Sequence, residues 1–365
     1  MTDTTGILDE ALQRLHTSGP ERLGRLTNHA PMAVEALAAH GQSRAVHRWL
    51  DLYAPKLEEF PAPFEPVTDA NWQAALGDPR RAADWIAYFG REIEARPWRD
   101  VLAEWWPRLL PGLYGSAAHP VIRVGHAVRT LEESEAEAGS GQAGSGGQAG
   151  SSGQAGSGQP GGVTEPRLAE LAHGLGYWAA RHLPLAGVAE LPGAASAAGA
   201  LDAVPPIANR ADGGYPTRLG RVEGLPVWAA SVDDPEEARR RLTELVRAAT
   251  HRYATHGHGD ETMLVHAATA PNAVLRALPA LPRALWVPSL HAAWTASAAI
   301  TAMYAPDEPV AYAAPGTFSA EEVFERAMAH GDEHVIKFAD TALDVGDERA
   351  LAAALRAVEL SEPLV

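Results

Sequence analysis

The sequence contains no cysteine. That removes disulfides, thiolate metal sites and cysteine nucleophiles together, and leaves His, Asp and Glu as the available metal ligands. No run approaches the roughly 18 uninterrupted apolar residues of a membrane span. The opening Met1-Thr2-Asp3-Thr4-Thr5-Gly6 has neither the basic start nor the apolar core of a secretory signal. The expected setting is soluble and cytoplasmic. Basic residues are in deficit, with a formal net charge of −16 spread along the chain, so a nucleic-acid partner or an anionic membrane is disfavoured.

Several catalytic signatures are also missing. No Gly-x-Gly-x-x-Gly follows a strand, so a dinucleotide or flavin site has no fingerprint and NADPH is unsupported by any motif. No Gly-x-Ser-x-Gly is present, not even in the Gly/Ser-rich tract, so a hydrolase nucleophile elbow has no support. The His-Glu-x-x-His zinc signature is absent. His256-Gly257-His258-Gly259-Asp260 has the composition of a metal tract but reads as a loop.

What is present is helical periodicity, in 365 residues rich in Ala, Leu and Val and carrying 10 tryptophans. No long alternating run argues for a substantial sheet. The expected fold is all-α, one large multi-helical, bundle-like domain over residues 1–365. Helices are expected over 6–16, 31–41, 43–54, 79–89 and 97–106, with a long one over 113–135 that Pro120 must start or kink. Further helices are expected from 165 through Trp178, 235–253, 262–270, 283–304, 319–331, 332–342 and 347–359. Pro61, Pro63 and Pro66 forbid helix over 57–66. Residues 138–162 are imperfect copies of Gly-Ser-Gly-Gln-Ala, which cannot repay the entropy of ordering and read as a flexible insertion. Residues 184–231 read mostly as loop with a short helix, and 221–228 as a minor strand.

Four of the fifteen histidines, His29, His119, His266 and His334, stand out, the first three among small or apolar neighbours and His334 ahead of the apolar Val335-Ile336, and each falls on a different expected helix. A bundle gathers ligands from facing helices in this way, although one buried histidine alone is more often a hydrogen-bonded core residue. An all-nitrogen site suits iron, copper, nickel or zinc. Lys337 lies three residues beyond His334 and shares its helix face. It is either a solvated surface lysine or a second ligand on that helix. Trp105, Trp106, Trp178 and Trp294 read as core, with a substrate wall as the alternative.

Asn28-His29-Ala30-Pro31-Met32, the stretch Gly115 to Gly125, Val265-His266-Ala267-Ala268-Thr269 and Asp332-Glu333-His334-Val335-Ile336-Lys337 resemble, in order, landmarks of the questin oxidase-like family. The resemblance implies a helical oxygenase of aromatic polyketide metabolism, acting on a quinone or ketone by Baeyer-Villiger-type oxidation or ring cleavage with dioxygen. It implies non-haem Fe(II) held by His29, His119, His266 and His334, with Lys337 as a ligand carboxylated by carbon dioxide. His126, seven residues beyond His119, would be a partner of the ligands or a proton shuttle, and His291 would act similarly. The chain departs from the fungal pattern at Ala30-Pro31-Met32 and at Arg123, where that pattern has further histidines, so its substrate contacts are not carried over. Two other readings stand beside this one: an NADPH-dependent oxidoreductase without iron, and a non-catalytic helical protein that binds a small molecule.

Overall fold

The computed structural model describes residues 5–144 and 162–364. The expected insertion therefore falls largely on 145–161, outside the described residues. Its first part is corrected: 138–144 continue a helix whose last turns are Ala, Gly, Ser and Gln.

The helices are α1 (Thr5–Leu15), α2 (Ala30–Ala39), α3 (Ser43–Tyr53), α4 (Trp72–Ala75), α5 (Ala82–Ala95), α6 (Trp98–Leu109), α7 (His119–Gly144) and α8 (Glu165–Ala180). They continue as α9 (Ala197–Asp202), α10 (Tyr215–Leu219), α11 (Pro235–His256), α12 (Glu261–Leu264), α13 (His266–Ala277), α14 (Trp286–Tyr304), α15 (Ala320–His330), α16 (Glu333–Val345) and α17 (Glu348–Leu360). The fold is all-α and multi-helical. Among the described residues the sheets are two small pairs. Strands β1 (Glu21–Arg22) and β2 (Leu26–Thr27) are antiparallel, and β3 (Ala189–Leu191) and β4 (Gly224–Pro226) are parallel. The second pair, with α9 and α10, gives residues 184–231 more order than their composition suggests.

Two helix boundaries differ from the periodicity, and both matter. The long helix starts at His119, so Pro120 opens it, where a missing N–H costs nothing. The run 262–270 is broken at Val265 into α12 and α13, so that His266 opens a helix instead of lying within one.

The core is organised around α7 and α13, which cross very closely. A Cβ added to Gly125 would lie 2.6 Å from the Cβ of Ala273, so only glycine permits this approach. On the far side α8 packs between α7 and α5, again through glycine: a Cβ on Gly176 would meet Ile86 at 2.6 Å. Trp105 is fully buried among Trp72, Trp85, Tyr88 and Phe89, edge to face with each. Trp106 donates to Ser289 and meets Trp178 edge-on. These three expected wall candidates are core residues.

A buried charge network ties four helices together. Glu35 of α2 accepts from Arg129 and pairs with His126 of α7; Asp340 of α16 accepts from Arg129 and from Arg276 of α13, the latter two at 2.8 Å. Burial alone would raise the Asp340 carboxyl, but Arg129 and Arg276 hold it well below the ordinary carboxylate range. In each of the four helices the residue that joins this network lies one and a half to three turns below the first residues.

Candidate metal centre

The four singled-out histidines meet at the mouths of those same helices. His29 is the residue that caps α2, His119 and His266 are the first residues of α7 and α13, and His334 lies in the first turn of α16. Because the charge network ties all four helices farther along, they leave the histidines in the same general direction. Local sequence sets each mouth. The Asn28 carboxamide oxygen accepts from the Ala30 amide at 3.0 Å, and Pro31 follows in the first turn. Asp332 accepts from the amides of His334 and Val335, which fixes the start of α16.

The mouth of α7 is made differently. Ser116, Ala117 and Ala118 have φ of 47°, 54° and 62°, three successive non-glycine residues in the left-handed region. Each costs roughly 1–2 kcal/mol for an L-residue. The turn swings the Ser116 carbonyl back to accept from Nδ1 of His119. Gly115 lets the turn lie against the Arg181 carbonyl, which a Cβ would overlap at 1.7 Å.

The imidazoles are all buried. His119 Nε2 lies 2.7 Å from Nε2 of His29 and 2.7 Å from Nε2 of His266, and one ligand atom from each of the four rings falls within 4.8 Å of the others. His334 stacks obliquely on His29, with centroids 4.4 Å apart. His266 donates Nδ1–H to the Met263 carbonyl at 3.0 Å, as His119 does to Ser116. A neutral imidazole carries one N–H. His119 and His266 have both committed theirs outward, so their Nε2 lone pairs face one another at hydrogen-bond distance with no proton between them.

Burial, and next the charge of Lys337, lower the pKa of His29 and His119 well below the ordinary value. For His266 burial comes first, then His119 and Lys337. The rings of His29, His119 and His266 are therefore neutral, the form in which an imidazole can act as a ligand.

Lys337 is no surface residue. It is fully buried, its Nζ has no hydrogen-bond partner, and burial pushes its pKa down to about 7. Glu333, one turn back on α16 and 1% exposed, is a site residue that the sequence reading passed over. Its Oε1 lies 3.9 Å from His29 Nδ1, and its Oε2 takes a hydrogen bond from Lys56 at 3.0 Å.

The structure leaves the other two candidates outside the imidazole group. His126 is two turns along α7, pinned by Glu35 in the charge network. His291 is half-buried on α14, with Nε2 3.2 Å from the Ala229 carbonyl oxygen, and lines a cavity. The tract from His256 to Asp260 is a short turn, and Asp260 caps α12 through the Met263 amide at 2.9 Å.

No helix among the described residues is long and apolar enough to cross a membrane. No curated protein and no solved structure matches the chain. No more than part of the chain is matched by a family: residues 26–138, which carry His29, the left-handed turn and His119, match the family model described as questin oxidase-like.

Proposed function

We propose that the chain is a non-haem iron oxygenase in which His29, His119, His266 and His334 hold the metal and Lys337 supplies a further donor. The family suggests an oxidase or oxygenase with a small-molecule substrate. The finer reading is oxidation of an aromatic polyketide quinone or ketone by dioxygen, with oxygen insertion or ring opening. One observation carries it: the His119 and His266 lone pairs opposed at 2.7 Å beside a buried amine that bonds to nothing. Two such lone pairs repel unless a cation lies between them. Two nitrogens about 2.1 Å from one ion and at right angles are about 3 Å apart, close to the observed separation.

The donor set fits such an ion. Backbone carbonyls hold the outer nitrogens of His119 and His266, which orients the rings and raises the basicity of the inner ones. Lys337 is a donor only when neutral, and burial brings that form within physiological pH. The neutral amine can add to carbon dioxide, forming an N–C bond and releasing one proton, and the resulting carbamate offers an anionic oxygen. Iron, when bound, supplies the electron transfer that makes dioxygen reactive toward a closed-shell substrate.

Anaerobic addition of Fe(II), gel filtration and elemental analysis test the reading, followed by oxygen consumption with a panel of hydroxylated quinones. Stoichiometric retention of iron and substrate-dependent oxygen uptake are expected. Protein that retains no iron, or that consumes oxygen equally well without it, overturns the reading.

A further inference from the structure

We infer that Glu333 is the positioning residue for His29: it accepts the Nδ1–H of that ring and so turns the Nε2 lone pair inward when the imidazoles hold a metal. The inference rests on the metal centre of the reading above. Nδ1 of His119 and Nδ1 of His266 already donate outward, to the Ser116 and Met263 carbonyls. His29 has no such bond. Its Nδ1 is buried without a hydrogen-bond partner, and Oε1 of Glu333 stands 3.9 Å away.

The metal-free arrangement accounts for the unmade bond. A neutral imidazole carries one N–H. Nε2 of His29 lies 2.7 Å from Nε2 of His119, whose own hydrogen is committed outward, so His29 donates Nε2–H to that lone pair and its Nδ1 is bare. A bare nitrogen and a carboxylate oxygen oppose lone pair to lone pair, and the two stand about 0.7 Å beyond hydrogen-bond range. A metal on Nε2 reverses this. One proton leaves Nε2 and one arrives at Nδ1, the ring stays neutral, and the new N–H faces Glu333. Of the three rings joined by the 2.7 Å contacts, His29 is therefore the one that must change tautomer to become a ligand.

Glu333 is placed for that exchange. It opens α16, where the helix dipole favours an acidic side chain whether or not it has another task. Such a residue ordinarily stands in water, yet Glu333 is buried. Two cations compensate its charge: Lys56 donates to Oε2 at 3.0 Å, and Nη2 of Arg22 lies 3.6 Å from Oε1. Lys56 thereby occupies one oxygen, and the other is the one turned to His29. The backbone of His29 is held separately, its amide donating to the Tyr53 hydroxyl at 3.2 Å, so Glu333 governs the ring rather than the chain. A carboxylate on the outer nitrogen fixes the ring and raises the basicity of the inner one more than a neutral carbonyl does.

The test uses zinc, which is diamagnetic, on the full-length chain, with affinity read by competition against a chromophoric chelator. Glu333→Gln should weaken zinc binding about 10–100-fold. In His29→Ala the same substitution should change the affinity by less than about twofold, since the ring through which Glu333 acts is gone. A carboxylate that only attracts the cation from a distance, or only holds α16 in place, costs as much with His29 absent as present. A second measurement needs no change at Glu333. In the zinc-loaded natural chain labelled with 15N-histidine, the Nδ1–H proton of His29, identified by its loss in His29→Ala, should resonate downfield of those of His119 and His266, whose acceptors are neutral carbonyls. Unweakened binding in Glu333→Gln, equal losses with and without His29, or a His29 proton no further downfield than the other two overturns the proposal. Any of these in a chain that retains iron and consumes oxygen removes the role of Glu333 alone. The expected zinc results in a chain that consumes no oxygen with iron remove the oxygenase reading alone, and a natural chain that takes up no metal removes both.

Discussion

Removing the middle imidazole should abolish the response of the fold to metal. A ligand that binds only the folded state, at about a hundred times its dissociation constant, stabilises it by about 2.7 kcal/mol. Unfolding entropy near the melting point is about 2.1 cal/mol/K per residue, which for 365 residues comes to about 0.8 kcal/mol/K. Saturating Fe(II) under anaerobic conditions should therefore raise the melting temperature of the natural chain by about 3.5 °C. His119→Ala deletes the nitrogen that stands 2.7 Å from both His29 and His266, so its melting temperature should not rise with Fe(II). His256→Ala, in the other histidine tract, should keep the full shift. Differential scanning calorimetry with and without metal reads all three proteins. Equal shifts in the natural chain and in His119→Ala, or a shift lost only in His256→Ala, would refute the assignment of the centre.

Lys337→Met replaces a buried amine that lacks a partner with an apolar chain of similar length. The metal-free protein should become more stable by about 1–3 kcal/mol in urea unfolding, while iron retention falls; unchanged stability together with unchanged retention would count against Lys337 as a donor. Asp340→Asn leaves Arg129 and Arg276 facing a neutral group and should destabilise the fold by about 3–5 kcal/mol, so a loss under about 1 kcal/mol would show that the network does little to hold the four helices. The pKa values of His29, His119, His266 and His173 are all lowered by burial. Below about pH 6.5 the unfolded chain binds protons that the folded one refuses, so the stability of metal-free protein is fully present above that pH and is lost as pH falls through it. Urea midpoints that stay flat from about pH 8 down to about pH 5.5 contradict this burial.

Much of the centre could be read from residue types and spacing, because three of the four histidines sit next to a helix-start signal. Asn28 with Pro31, Pro120, and Asp332 mark three of the four mouths, and small neighbours set His29, His119 and His266 apart from the histidines in charged surroundings. The left-handed turn at Ser116 to Ala118 had no such mark. Serine and alanine carry no preference for positive φ, and only packing around Gly115 and Arg181 imposes it. Glu333 was hidden for the opposite reason, since an acidic residue in a first helical turn is ordinary and its burial depends on Lys56, far away in the sequence. Residues 138–144 continue α7 despite their Gly and Ser content, as a long helix already nucleated extends at little cost. The β3–β4 pair, three residues a strand, is too short for alternation to register.

The shared direction of α2, α7, α13 and α16 has a consequence for charge. Each helix start carries roughly half a positive elementary charge from its unpaired amides, so four starts directed at one spot amount to about two. A dication arriving there meets an already electropositive ring, with Glu333 and Asp332 as the nearby negative side chains. Such a pocket holds a cation best when an anion comes with it. Azide or cyanide should therefore be retained together with the metal, and hardly at all in its absence.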